Sequence, residues 1–249
     1  ATGNFYLGVL LAIPVTFASG YVLEFLIIRH LYRRDHMEQV LATFGLILFF
    51  NEAIRISFGP AALFSDLPPS LSGFVEVLPA TPYPAYRLGV IIVGLLCAIG
   101  IHLLVSRTRI GAMVRAGANN PEMTAALGIN IKTLFRLIFA TGACLAGVAG
   151  MMLGPLTAVQ SGMGEPLLIL SLVVIIIGGI GSVRGAFVAA IIVGLVDTLG
   201  RVFLPSILRL FVEQATADGA GPALASMLVY ILMAVVLIFR PTGLFPAKG

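Results

Sequence analysis

Long apolar runs, each about the length that crosses a lipid bilayer, recur from one end of this chain to the other, and no other feature constrains its fold as strongly. A helix rises about 1.5 Å per residue, so about 20 mostly apolar residues span a hydrocarbon core of about 30 Å. Runs of this kind lie at approximately 4–28, 39–58, 87–105, 133–153, 166–180, 185–200 and 223–239. They predict an all-α, polytopic transmembrane helical bundle with about seven spans. The fifth and sixth are shorter than the rule asks and are separated only by Gly181-Ser182-Val183-Arg184, which predicts a tilted, broken or partly re-entrant pair. Charged residues make up 10% of the 249, and mean hydropathy is +1.07, so too few polar side chains remain to coat a soluble domain. Residues 1–249 read as a single transmembrane domain.

Orientation follows from the basic residues, because short loops retained in the cytoplasm carry the excess of Lys and Arg. Eleven of the 15 fall on one side: Arg29, Arg33, Arg34, then Arg107, Arg109, Arg115, Lys132 and Arg136, then Arg184, Arg240 and Lys248. The other side holds Arg55, Arg87, Arg201 and Arg209, diluted by Asp66, Glu76, Glu165, Glu213 and Asp218. The N-terminus is therefore expected outside and the C-terminus in the cytoplasm, with Tyr6, Tyr83 and Tyr86 at the outer interface and Tyr32 at the inner one. Residues 59–86 form the longest external loop. Their prolines, Pro60, Pro68, Pro69, Pro79, Pro82 and Pro84, forbid a long helix and predict either an ordered cap or a flexible loop. A second external connection is expected at 201–222, with Phe203 to Phe211 lying along the interface. Net charge is +4, but the basic residues sit in small groups between apolar runs rather than on one polar face, which argues against nucleic acid as a partner.

Several mechanisms are excluded by what the residues lack. The one Lys-Thr pair, Lys132-Thr133, follows Ile131 rather than Gly, so the phosphate loop of an ATPase is missing. His30, His36 and His102 contain no i, i+4 zinc pair, and Cys97 and Cys144 lie inside apolar runs where neither a disulfide framework nor a thiolate metal site forms. The run from Gly178 to Gly185 has the wrong spacing for a dinucleotide fingerprint. No nucleophile, base or metal constellation supports an intramembrane enzyme. Ionisable residues within spans are the remaining suspects, being costly in lipid. Glu24 is expected to snorkel or to pair with Arg29, and Glu52 to pair with Arg55 at i, i+3. His102 reads as a solvated or packed side chain near the interface. Asp197 reads as a helix-packing hydrogen bond or a pathway residue.

Two features carry positive information. Small residues recur at spacing four: Gly142, Ala146, Gly150 and Gly154 along the fourth span, and Ser182, Ala186, Ala190, Gly194 and Thr198 into and along the sixth. Such faces let helix backbones approach closely where lipid removes the hydrophobic drive, either within the subunit, around a pathway, or against a second membrane subunit. The other feature is the cytoplasmic loop 106–132, far longer than a turn needs. Within it Asn120 suits an N-cap, Pro121 the first helical position, Glu122 the positive helix end and Gly128 the stop. The predicted helix is about seven residues long, too short to stand alone in water, so it must be held by its flanking spans and by whatever it docks against. Met123, Ala126 and Leu127 share one face. The alternative is a helix lying on the membrane surface with this face in lipid, but Ala125 and Ala126 make a poorer lipid anchor than a close-packing surface.

At these residues a family comes into view. Glu122-Met123-Thr124-Ala125-Ala126-Leu127-Gly128 resembles the coupling helix of permease subunits of ATP-binding-cassette importers. Leu127-Gly128-Ile129-Asn130, Gly178-Gly179-Ile180-Gly181-Ser182-Val183-Arg184-Gly185-Ala186 and Arg240-Pro241-Thr242-Gly243-Leu244-Phe245 resemble, in order, motifs of the branched-chain amino acid (LIV) permease family, H-type subunit. The family begins with further apolar segments that this chain lacks, and it opens at Ala1 rather than Met, so N-terminal spans are expected to be missing from the sequence as given.

The resemblance implies an importer for branched-chain or related small amino acids in the cell inner membrane. Its partners would be a second permease subunit, two cytoplasmic ATPase subunits and an extracytoplasmic solute-binding protein, with lipid around the spans. It implies no cofactor in this chain, ATP and Mg being held by the ATPases. Residues 120–128 would contact the motor, and the glycine turn at 178–185, with Gly178, Gly179, Gly181 and Gly185, would lie near the cytoplasmic side between packed helices. The alternative from a different mechanistic class is a self-contained channel or secondary carrier for a small polar solute such as urea or an amide.

Overall fold

The computed structural model describes residues 5–32, 34–78, 81–179, 181–210 and 214–245, and the structural statements below concern these. Arg33, Pro79, Ile180, Phe211, Glu213 and Lys248 lie outside them. The described chain is almost entirely helical: α1 (Phe5–Leu31), α2 (His36–Phe58), α3 (Ala85–Arg107), α4 (Arg109–Asn119), α5 (Pro121–Ala126), α6 (Ile131–Leu153), α7 (Gly164–Gly178), α8 (Val183–Leu208) and α9 (Gln214–Phe239). Among the described residues six helices, α1, α2, α3, α6, α8 and α9, are long and apolar enough to cross a membrane. The chain divides into two compact units, one ending at Met163 and one beginning at Gly164.

The first unit is built on the packing of α1 against α6. A Cβ at Gly20 would lie 2.5 Å from the Ala143 Cβ, and one at Gly147 would lie 2.4 Å from the Thr16 Cγ2, so the two backbones approach as closely as glycine permits. Ala140 is buried in the same contact, its Cα 3.1 Å from a Cβ built at Gly20. Pro14 interrupts α1 without ending it, as apolar surroundings and neighbouring side chains allow. At Glu24–Ile28 the helix widens into a π turn and then resumes at Arg29–Leu31, so the first span runs past its expected end near 28. Tyr86, buried at the start of α3, donates its phenolic hydrogen to the Met152 carbonyl at 2.9 Å and meets the Phe5 ring edge-on.

Of the two expectations for 59–86, the ordered cap is found. Strands β1 (Phe74–Leu78) and β2 (Thr81–Pro84) pair antiparallel with Phe74 opposite Pro84 and Val75 opposite Tyr83, with a bulge between Glu76 and Leu78. Pro82 and Pro84 are tolerated because a two-stranded ribbon is all edge. Leu63 and Val159 exchange backbone bonds of 2.9 and 2.8 Å, and Tyr6 bonds Ser70 at 2.5 Å, so the cap is tied to its own unit at two points.

The second unit closes around Val173, Ile177, Ala189, Val193 and Val229 of α7, α8 and α9. Helix α7 has 15 residues, about 22 Å, short of a full crossing as the sequence implied. Helix α8 does not end near 200. It continues for 26 residues to Leu208, so the expected external connection over 201–222 with an interfacial segment is replaced by helix on both sides of residues 211–213. The physical reason is that Arg201 is neutralised one turn away by Asp197, at 2.9 Å, and that Pro205 is carried inside the helix. Gly200 packs on Ala225, where an added Cβ would meet the Ala225 Cβ at 3.1 Å.

Candidate functional site

The loop 106–132 holds two helices where one was expected. The Thr108 hydroxyl accepts a bond from the Gly111 amide and starts α4 directly after α3. A Cβ at Gly111 would lie 2.5 Å from the Leu104 carbonyl oxygen, so only glycine permits the sharp bend between the two helices. Arg115 donates back to the Val105 carbonyl, closing the bend. Gly117 rests on Leu134 and Ile131 of α6. The glycines that a propensity argument counts against helix are here the residues that let α4 fold down on its neighbours.

Helix α5 follows as the sequence predicts. Asn120 accepts from the Met123 amide at 3.0 Å, Pro121 is the first helical residue, and Gly128 terminates the turn at φ +87°. Its inner side is held by Thr124, which is buried and donates to the Asn120 carbonyl at 2.7 Å. Pro121, Glu122, Met123, Ala125, Ala126, Leu127 and Gly128 are all exposed, Met123 at 63% and Leu127 at 75%. The result is a short, capped, one-side-anchored helix that presents a small apolar face outward. Asn130 then caps α6 by accepting from the Thr133 amide at 3.2 Å, so α5 and α6 are joined by a stiff three-residue corner and a capped start.

Within the first span Glu24 does not snorkel and does not pair with Arg29. Its carboxylate is 1% exposed and accepts from the Arg136 Nε at 2.8 Å, while Arg29 lies over the exposed Phe25 ring at 4.3 Å. Arg136 also donates to the Tyr21 hydroxyl at 3.2 Å, and its guanidinium stands over the Tyr21 and Phe25 rings at 5.1 and 4.8 Å. The Tyr32 and Phe135 rings meet edge to face at 5.6 Å, and partial desolvation of the phenol, then the Glu24 charge, holds Tyr32 above its ordinary pKa. The count of basic residues sets Arg136 with those of the cytoplasmic loop 106–132, whereas in the fold it faces α1. The signal that it belonged elsewhere was its position inside the run 133–153, facing a second unexplained span charge.

The glycine turn and the C-terminal motif, read separately in the sequence, meet in the second unit. The amides of Leu244 and Phe245 donate to the carbonyls of Ile177 and Gly178 at 2.8 and 3.1 Å, capping the C-terminus of α7 with the tail. Gly179 and Gly243 take φ of +100° and +84°, and a Cβ at Gly243 would lie 2.5 Å from the Gly179 Cα. Gly178 and Gly185 bring α7 and α8 together in the same way, an added Cβ on Gly178 falling 2.5 Å from the Gly185 carbonyl carbon, while Gly181 turns the chain at φ +85°.

Of the other small-residue positions, Ser182 and Ala186 belong to the α7/α8 contact, a Cβ on Gly178 falling 2.6 Å from the Ala186 amide nitrogen, and Gly154 is buried against Val159, whereas the rest lie apart. Gly142 and Ala146 are exposed and nothing stands within 4 Å of a Cβ built at Gly142 or Gly150. Ala190 and Gly194 are likewise exposed on α8. The close contacts within each unit use the neighbouring stripes: Ala140, Ala143 and Gly147 on α6, and Gly185, Ala189, Val193 and Gly200 on α8. Asp197 bonds Arg201 of its own helix rather than a neighbouring helix. Glu52 and Arg55 pair at 3.5 Å as expected, and His102 is half-buried.

Comparison with known proteins follows the same lines. The sequence model of a family described as branched-chain amino acid transport system, permease component, matches residues 1–237. The high-affinity branched-chain amino acid transport system permease protein BraD of Pseudomonas aeruginosa is 28% identical over 94% of this chain and 72% of its own length. The LivH permease proteins of Methanocaldococcus jannaschii and Escherichia coli are 25% and 24% identical, each over 94% of this chain and over 73% and 71% of their own lengths. No solved structure matches the chain.

Proposed function

The chain belongs to the branched-chain amino acid transport permease family, and from that premise we propose that it is a membrane-spanning subunit of a binding-protein-dependent ATP-binding-cassette importer for branched-chain or related small amino acids. The family is one of transport permeases, and the reading gives this chain no chemical step of its own. It supplies part of a path and a lever, while hydrolysis of ATP with Mg belongs to two separate cytoplasmic subunits.

The observation that carries this reading is helix α5. It is capped at Asn120, stopped at Gly128, anchored by buried Thr124, and otherwise turns Met123, Ala125, Ala126 and Leu127 outward. A helix of this length gains nothing from standing free in water. A groove on a partner gives the exposed face something to bury, and the direct run from α5 through the Asn130 cap into α6 gives motion of that partner a way into the membrane. The distribution of basic residues supports a cytoplasmic side for this helix and an outer N-terminus, and on this reading the hairpin of 59–86 faces an extracytoplasmic solute-binding protein at an inner membrane. The exposed faces through Gly142 and Ala146, and through Ala190 and Gly194, suit a second permease subunit or the pathway.

Reconstitution tests the proposal. With a second permease subunit, ATPases and binding protein in proteoliposomes, leucine uptake is expected to require ATP. Flux of the same size through this chain alone, of leucine, urea or an amide, would make it a self-contained channel or carrier instead.

A further inference from the structure

We propose that Glu24 and Arg136 are positioning residues that fix α1 and α6 in one axial and rotational register, so that a push on α5 moves the two spans as a single body. The inference rests on the reading of α5 as the motor's contact and adds to it the route by which motion enters the bundle.

Small-residue packing alone does not fix the register of two helices. Gly20 on Ala143 and Thr16 on Gly147 bring α1 and α6 close, but a face of glycines and alanines is smooth and resists sliding weakly. A buried ion pair is directional. Arg136 is held by the Glu24 carboxylate at 2.8 Å, by the Tyr21 hydroxyl at 3.2 Å and by the faces of Tyr21 and Phe25, all from α1. A planar guanidinium gripped on its edge and its faces has one orientation. A slip of one helical turn, about 5.4 Å, would separate two charges in a medium that does not solvate them.

Stability alone does not account for the pair, since apolar residues of the same volume commonly serve a buried site as well or better. The π turn at Glu24–Ile28 points the same way: it resets the phase of α1 at the residue whose carboxylate receives Arg136, and such turns gather at functional positions. Location completes the argument. Arg136 lies in the second turn of α6, about 8 Å along the axis from its first residue, Ile131, and α5 ends at Ala126 just before. The clamp therefore sits in the second turn of the helix that leaves the docking loop.

The experiment uses the assembled importer in lipid nanodiscs, with spin labels at Leu11 on α1 and Leu137 on α6, both exposed and the second off the stripe through Gly142. The distance between labels is expected to stay the same in the nucleotide-free and ATP-trapped states. In the double variant Glu24→Leu/Arg136→Met, which removes both charges and keeps apolar volume, the distance distribution is expected to broaden. Leucine imported per ATP hydrolysed then falls about fivefold or more, with ATPase association and thermal stability at the parent's level. A label distance that changes between states in the parent, or a double variant that imports per ATP as the parent does, overturns the proposal. Should the double variant fail to assemble, Tyr21→Phe removes only the phenol oxygen that accepts from Arg136, and an unchanged import-to-ATP ratio in that variant overturns it equally. Failure of the parent to bind an ATPase contradicts the function proposed above, whereas the width of the label distribution in the isolated permease, narrow in the parent and broad in the double variant, tests the clamp without a motor.

Discussion

The Glu24 carboxylate of α1 accepts a 2.8 Å hydrogen bond from the Arg136 guanidinium of α6 across 112 positions of sequence. Removing one partner of a buried pair leaves the other charge without compensation, which is among the most destabilising changes a protein core suffers. Glu24→Gln is therefore expected to lower the melting temperature in detergent by roughly 10 °C. Arg29→Ala, which removes an exposed side chain resting on Phe25, is expected to leave it unchanged. Equal losses in the two variants would return Glu24 to its neighbour in sequence.

The α1/α6 contact makes opposite predictions for two glycines of one helix. Gly147→Ala places a Cβ against Thr16 and is expected to cost about 1–3 kcal/mol, with partial recovery in Gly147→Ala/Thr16→Ala. Gly142→Ala, with nothing within 4 Å, is expected to fall within about 0.5 kcal/mol of the parent in the isolated chain. Denaturation in mixed micelles reads both. A large effect at Gly142 in the assembled importer alone would locate a partner on that face.

The tail that caps α7 depends on glycine at two touching positions. Gly243→Ala has to adopt φ +84° and place a Cβ 2.5 Å from the Gly179 Cα, so about 1–2 kcal/mol of backbone strain is joined by a clash. The expected result is release of residues 240–245 to limited proteolysis and a lower melting temperature. Resistance equal to the parent's would show that the bonds from Leu244 and Phe245 to α7 are dispensable.

Helix α5 is held by few bonds, so its cap is open to test. Asn120→Ala removes the acceptor for the Met123 amide and is expected to cost about 1 kcal/mol locally, while Asn120→Ser retains it. Hydrogen exchange at residues 123–127 is expected to quicken in the first variant and not in the second.

The parts of this molecule that the sequence made legible are those governed by local rules. Apolar run length gave the spans, and Asn120, Pro121 and Gly128 marked α5 almost to the residue, because capping is decided within one turn. Helix α4 was missed because Gly111 and Gly117 look like breakers until the carbonyl of Leu104 and the side chain of Leu134 are known to stand beside them. The extension of α8 lies beyond the apolar run because Arg201 ends that run, whereas helix continues through Arg201, bonded to Asp197 one turn back, and through Pro205. Spacing of four correctly announced close packing on α6 and α8 but not which stripe is used. Gly142 and Gly147 are equally good small residues, and the choice between them is made by Thr16 and Ala143, which no local pattern reports. The Glu24–Arg136 pair and the joining of Gly179 to Gly243 are long-range by nature, and a single sequence carries no record of such contacts.

The central claim, that α5 is where an ATP-driven motor grips this permease, is tested most directly by Ala126→Arg in the reconstituted importer. Ala126 is exposed at the end of a short helix, so folding is expected to be retained when it is replaced. With Arg at this position the ATPase subunits are expected no longer to co-purify and ATP-dependent leucine uptake to fall to background, with an unchanged melting temperature for the permease itself. Uptake and ATPase association at the parent's level would contradict the claim.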